Sequence, residues 1–151
     1  MPNLFTEDTY EQAIIELFES LGYDHLYAPD LDRDYSSPLL DNELRSSLVR
    51  INRGLPVEAI GEALAKLKNF DTGSLLQKNI IFMDYLQNGI TVKFFVKGEE
   101  QSSIIRLIDY QNVKNNSFYV VNQFTFLENG NNRRPDVILF INGLPLALME
   151  L

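Results

Sequence analysis

Two acids near the C-terminal end carry the strongest chemical signal: Asp136 and Glu150, separated by Val-Ile-Leu-Phe-Ile-Asn-Gly-Leu-Pro-Leu-Ala-Leu-Met. The segment between them is too apolar for a surface loop and is broken only by Asn142-Gly143 and Pro145. It reads as two short, largely buried strands folded back on each other. A carboxylate at the edge of such a core is costly unless something compensates it, and a divalent cation held by oxygen ligands is the usual compensation. Two carboxylates that a hairpin brings together therefore point to a metal site.

Whether the two acids share a face depends on the turn. A simple two-residue turn at Asn142-Gly143 pairs Ile141 with Leu144 and Asp136 with Met149, which leaves Glu150 pointing away from Asp136. A three-residue loop with Gly143 in the left-handed conformation instead pairs Phe140 with Leu144 and Asp136 with Leu148. Glu150 then lies diagonally across from Asp136 on the same face. A shared ion thus requires an odd-length loop or a bulge near Pro145.

The elements that must position this hairpin divide into a helix-rich part, 1–89, and a strand-rich part, 90–151. Thr6 can cap a helix running to about Leu21, with Gly22 as its stop signal. Tyr10, Ala13, Ile14, Leu17, Phe18 and Leu21 recur at helical spacing as its expected buried stripe. Asp24 to Pro38 is rich in aspartate and turn formers. Residues 39–52 and 56–69 read as two helices separated by Gly54 and Pro56, and Leu75 to Gln87 as another, closed by Gly89. The period then changes to two. Thr91–Lys97, Ser103–Asp109 and Phe118–Phe126 read as strands, with turn signals at Gly98-Glu99, Asn115-Asn116 and Asn129-Gly130-Asn131-Asn132. The expected class is α+β: a mixed or antiparallel sheet with flanking helices in one domain, 1–151.

Composition narrows the chemistry. The chain has 151 residues, 45% of them hydrophobic, which is ordinary for a globular domain with a real core. No apolar run is long enough to span a bilayer and no signal-peptide pattern opens the chain, so a cytoplasmic location without membrane association is expected. There is no cysteine, so neither a disulfide nor a thiolate zinc site can form. His25 is the single histidine, which excludes a multi-histidine site within the chain. A formal net charge of −8 argues against a general nucleic-acid coat but not against an acidic nuclease site. Asp30, Asp32 and Asp34 imitate the start of a calcium loop, yet Tyr35 replaces the required glycine and Asp41 the closing glutamate.

Arg134-Pro135-Asp136, the short apolar strand, Asn142-Gly143-Leu144-Pro145-Leu146 and Glu150-Leu151 together resemble the PD-(D/E)XK nuclease core. More narrowly, they resemble the N-terminal nuclease domain of the restriction (R) subunit of type I restriction-modification enzymes. Ile108-Asp109-Tyr110-Gln111-Asn112, Asn116-Ser117-Phe118 and Val121-Asn122-Gln123-Phe124 also look like that family, so the match covers roughly residues 104–151. One departure stands out. The family pattern is Glu-x-Lys, and the sequence stops at Leu151, where lysine would come next. The resemblance therefore implies a restriction-endonuclease-like fold truncated at its C-terminal side, cut inside its own motif and inactive or nearly so as it stands.

The family implies Mg²⁺-dependent hydrolysis of double-stranded DNA by a type I site-specific deoxyribonuclease. In the parent protein this is coupled to an ATP-driven translocating motor and to methyltransferase and specificity subunits. No Gly-x-x-x-x-Gly-Lys-Ser/Thr sequence occurs here, so ATP would belong to the missing motor region. Asp136 and Glu150 would hold Mg²⁺ together with the backbone carbonyl of Leu151. An acid on the first helix completes the set in many members of the fold. Glu11, which shares a face with Ile14, Ile15 and Phe18, fits that place best, with Glu7 as the fallback. Arg133 and Arg134 are candidates for a phosphate, and Asn122 and Gln123 could border the site. His25 is expected at the surface or partly packed. The competing reading is a non-catalytic nuclease-fold module that docks proteins or DNA.

Overall fold

The structure, a computed structural model, describes residues 6–69, 73–128 and 130–151. In chain order its elements are α1 (Glu7–Ser20), β1 (Asp24–Tyr27), α2 (Asp41–Ile51), α3 (Val57–Lys68), α4 (Leu75–Asn88), β2 (Ile90–Val96) and β3 (Glu99–Ile105). They continue with β4 (Phe118–Asn122), β5 (Phe126–Glu128), β6 (Asn131–Arg133), β7 (Val137–Ile141) and β8 (Leu144–Met149). Four helices with mixed sheets make this an α+β fold. The chain forms two compact units, one from Met1–Leu44 with Ser117–Leu151 and the other from Arg45–Asn116. Each draws on both the helix-rich and the strand-rich parts of the sequence.

The first unit is built on a four-stranded sheet in the order β1-β4-β7-β8. β1 runs parallel to β4, and the remaining pairs are antiparallel. α1 starts where the Thr6 hydroxyl accepts the Thr9 backbone N–H, which satisfies one of the donors a helix N-terminus leaves open. On one side of the sheet, buried Ile15 packs with Val120 and Val137, flanked by Ile14, Phe18, Leu139 and Met149. A second cluster gathers Ala28, Leu40, Val121, Phe124, Ile138 and Phe140. Alternate residues of β4 and β7 thus serve two cores, as strand periodicity requires.

Three sequence expectations change here. The buried face of α1 is Glu11, Ile14, Ile15 and Phe18, whereas Tyr10, Ala13, Leu17 and Leu21 are exposed. The helix carries two apolar stripes, and only one of them meets the sheet. β1 forms within a stretch that reads as turns, because its pairing with β4 supplies the support that its own polar pattern does not. Phe118–Phe126 is not one strand: Gln123 has φ 57°, a left-handed backbone that ends β4 and separates it from β5.

The second unit packs α3 on the β2–β3 hairpin. Ala59, Ile60, Ala63, Leu64 and Leu67 recur at helical spacing and are buried. They meet Ile90, Val92 and Phe94, the buried alternate residues of β2. Each such large side chain removed from water contributes roughly 1.5–3 kcal/mol. α4 begins with a capping box in which Ser74 and Gln77 exchange side-chain and backbone bonds. Gly89 follows it with φ 81°, and a side chain there would meet the Ile105 carbonyl oxygen at 2.7 Å. β3 occupies Glu99–Ile105 rather than Ser103–Asp109, since the turn at Lys97-Gly98 sets its start and the register with β2 fixes its end.

Candidate metal centre

The site is built by the β7–β8 hairpin. Its turn is Asn142-Gly143 with φ 54° and 82°, a two-residue connection with both residues left-handed. The three-residue loop is therefore not what forms. Ile141 pairs with Leu144 and Phe140 with Pro145, after which Leu139 pairs with Ala147. Leu146 is the extra residue, a bulge directly after Pro145. Pro145 has no N–H to give a ladder, and β8 is the edge strand of the sheet, where that loss is tolerated.

The bulge resets the parity of everything after it. Ile138 pairs with Leu148 and Val137 with Met149. Carried one residue further, this register sets Glu150 directly across from Asp136. Were Leu146 paired with Leu139 instead of bulged, Asp136 would face Met149. On the other side of β7, Asn122 pairs with Val137, so the same continuation sets Gln123 beside Asp136. Gln123, Asp136 and Glu150 thus each adjoin the last paired residue at one end of three adjacent strands.

Asp136 is partly buried behind the buried Pro135, and Glu150 is exposed. The Leu151 backbone N–H donates to Oδ2 of Asp136 at 2.6 Å, a charge-assisted bond that fastens the last residue beside the acid. Asp136 and Glu150 each carry a carboxylate, a hard oxygen donor. That donor chemistry suits Mg²⁺, which binds through one or two carboxylates and keeps several waters. Leu151 meets Asp136 through its amide.

Glu11 is held by two side-chain amides. It is a buried acid, 7% exposed, on the face of α1 that lies against the sheet. Asn122 Nδ2 donates to its Oε1 at 2.8 Å, and Gln123 Nε2 donates to Oε1 and Oε2 at 3.1 and 3.3 Å. Among the described residues no group of three His, Cys, Asp or Glu side chains is arranged to hold a metal ion. Glu7 is exposed in the first turn of α1, where an acid favours the helix dipole.

His25, exposed on β1, pairs its Nε2 with Oδ1 of Asn122 at 2.7 Å. Because the Asn122 amide nitrogen already faces Glu11, its oxygen is the acceptor and Nε2 of His25 carries the proton. Arg133 and Arg134 are exposed beside the hairpin entrance. Asp34 does not join a calcium loop: its Oδ1 accepts the Ser36 backbone N–H at 2.9 Å and the Ser36 hydroxyl at 2.6 Å. A cleft of about 710 Å³ is lined by Asp30, Asp32, Asp34, Asp41 and Glu43 over Leu31, Leu40 and Tyr119, and contains neither Asp136 nor Glu150. The link from Asn122 and Gln123 to Glu11 was not legible in the sequence. Its only local trace is that both amides sit at a strand end, and nothing marks Gln123 as left-handed.

The model of the type I restriction enzyme R protein N terminus matches residues 4–151. The type I restriction enzyme HindI endonuclease subunit of Haemophilus influenzae is 31% identical over 98% of this chain and 15% of its own length. A Methanocaldococcus jannaschii protein, whose name assigns it as the MjaIXP type I restriction enzyme endonuclease subunit, is 32% identical over 93% of this chain and 14% of its own length. A second protein of that organism, with a name assigning it to MjaVIIP, is 44% identical over 45% of this chain. The chain thus spans about one-seventh of the length of the first two relatives. With the family match covering nearly every residue, the chain belongs to the type I restriction enzyme R protein N-terminal family.

Proposed function

We propose that this chain is the DNA-cleaving module of a type I restriction enzyme R subunit, a Mg²⁺-dependent endonuclease acting on double-stranded DNA. The observation that carries the reading is the bulge at Leu146, which gives Glu150 the register of Asp136. A hairpin that needed only to close its core could do so without an extra residue in its edge strand.

In this reading Asp136 and Glu150 hold the ion through carboxylate oxygens. The Leu151 N–H fixes the rotamer of Asp136 by engaging Oδ2, so that the other oxygen faces outward. A bound Mg²⁺ would supply charge neutralisation at the phosphate and a water of lowered pKa. The apolar strands behind the acids exclude water from their inner side and keep the two carboxylates from drifting apart. With a net charge of −8, this domain does not supply the bulk of the phosphate contacts, so DNA is held largely by other parts of the assembly. ATP-driven translocation, the methyltransferase and specificity subunits, and a cytoplasmic setting complete the proposed context.

The test is cleavage of supercoiled plasmid by the assembled restriction enzyme with Mg²⁺ and ATP. Asp136→Ala and Glu150→Ala are each expected to lower cleavage by more than about 100-fold, beyond the loss typical of removing an outer-shell partner. Cleavage at the wild-type rate by Asp136→Ala overturns the proposal. The docking-module alternative draws on the absence of a three-carboxylate group among the described residues. It predicts that neither substitution changes cleavage.

A further inference from the structure

We infer that Asn122 and Gln123 are positioning residues of this nuclease site, acting through Glu11; the inference rests on the nuclease reading above. Three observations lead there. Glu11 is buried, and both its oxygens accept from these two amides. Gln123 adopts φ 57°, a backbone conformation that costs a non-glycine residue energy and persists only where the surroundings enforce it. Gln123 and Asp136 also each adjoin the last β4–β7 pair, Asn122 with Val137, and Glu150 adjoins the last β7–β8 pair at the same sheet end.

The left-handed residue explains how one strand end serves two purposes. Asn122 faces α1 together with its neighbours in register, Val137 and Met149. In a regular strand the next residue, Gln123, would point to the opposite face. Its positive φ breaks that alternation and turns its amide back onto Glu11. Two successive side chains thereby converge on one carboxylate. Each primary amide can give a hydrogen to a carboxylate, which can only accept, so the direction of these bonds is fixed.

The chain of bonds extends outward and stops at the surface. His25 donates to Asn122, and Asn122 donates to Glu11. Glu11 is the terminal acceptor, buried and held by both amides. A buried carboxylate with two amide partners has little freedom to rotate. Gln123 directly follows the last β4–β7 pair just as Asp136 directly precedes it, so the clamp ties Glu11 to the strand end that carries Asp136.

The experiment compares variants of the assembled enzyme in plasmid cleavage, with thermal unfolding of the R subunit as the second readout. Gln123→Ala is expected to lower cleavage about 10- to 100-fold, the range for removing a partner that orients a functional group. Gln123→Gly lacks the same amide but favours the left-handed backbone. It should unfold at a higher temperature than Gln123→Ala and cleave no faster. On a Glu11→Gln background, Gln123→Ala should add less than about a 2-fold further loss, because residues acting through one group are not additive. Recovery of cleavage together with stability in Gln123→Gly would show a purely structural role and overturn the inference. Multiplying losses in the double variant would overturn it as well. Asp136→Ala, run in parallel, separates the two levels. If it cleaves normally, the nuclease reading and this inference both go; if it is dead while Gln123→Ala is not, only the inference goes.

Discussion

The two ends of the β7–β8 hairpin use polar residues in opposite ways. At the closed end Asn142 is fully buried, its Oδ1 accepts the Ser117 N–H at 2.8 Å, and its own N–H donates to the Ser117 carbonyl at 2.9 Å. The Gly143 carbonyl accepts the Leu40 N–H at 3.0 Å, so the turn is bonded on both sides. At the open end Asp136 has one bonded oxygen and Glu150 is exposed. A buried polar group must be satisfied internally or it destabilises the fold. The closed end meets that requirement and is architecture. The open end leaves Glu150 exposed and Asp136 only partly buried, so its acids are not taken up by the fold in the same way. Polar residues in an apolar hairpin are therefore diagnostic by their partners, not by their presence.

Substitutions at the closed end should be the most damaging to stability. A side chain at Gly143 would meet the Leu44 amide nitrogen at 2.6 Å and the Leu40 carbonyl oxygen at 2.7 Å, and φ there is 82°. Both neighbours are backbone and cannot step aside. Gly143→Ala should thus cost about 3–5 kcal/mol, from left-handed strain plus overpacking, read as a shift in the urea midpoint. A loss under 1 kcal/mol would break the contrast between the two ends.

Deleting Leu146 tests the bulge itself without touching the closed end. Removing the unpaired residue leaves Leu139 with Ala147 and Val137 with Met149, so the ladder becomes regular and Glu150 keeps its register with Asp136. Stability should change by only about 1–2 kcal/mol because Leu146 is among the exposed residues. Plasmid cleavage by the assembled enzyme should stay within about 3-fold of wild type, because the register of the two acids is preserved. A loss as large as that of Glu150→Ala from a folded deletion variant would mean that their shared register is not what the site depends on. Asn142→Ala is the milder closed-end variant. It strands the Ser117 N–H and removes a residue that tolerates φ 54°, for a cost of about 2 kcal/mol in the same urea measurement.

How far the sequence discloses all this differs between the ends as well. The four helices and the hairpin follow from apolar period and punctuation, and their boundaries lie within a few residues of those signals. The hairpin's parity was legible as a requirement: a shared ion demands a bulge or an odd loop, and the bulge exists. Its place at Leu146 follows Pro145, which cannot donate to a ladder. What stayed hidden depends on tertiary pairing. β1 is a strand because β4 lies beside it, and local composition says turn. The choice between the two apolar stripes of α1 is made by the sheet, which takes the side bearing Glu11. The left-handed Gln123 has no sequence signature, since glutamine is not a residue that seeks φ above zero.

Asp109 offers the gentlest check on the rule that partners separate architecture from function. Its carboxyl is held below the ordinary value of 3.8 by the Asn112 backbone N–H, then by the Asn115 side-chain amide, against an opposing effect of burial, with the Gln111 N–H adding the smallest lowering. Oδ1 accepts from Asn112 at 2.9 Å and from Gln111 at 3.1 Å, and Oδ2 accepts from Asn115 at 3.1 Å. This acid resembles the closed end of the hairpin: its capacity is taken up by its own loop. A pKa depressed in the folded state means the unfolded chain binds the proton more readily. The associated stability is therefore fully present above the unfolded value near 3.8 and is lost as pH falls through the folded value. The urea midpoint of wild type should accordingly exceed that of Asp109→Asn by a small, constant margin at neutral pH, and the margin should shrink as the pH is taken down through 3.8. Cleavage by the variant at neutral pH should stay within about 3-fold of wild type, as expected for a group whose bonds are all internal to a loop. A loss as large as that of Asp136→Ala would place Asp109 with the open end of the hairpin instead.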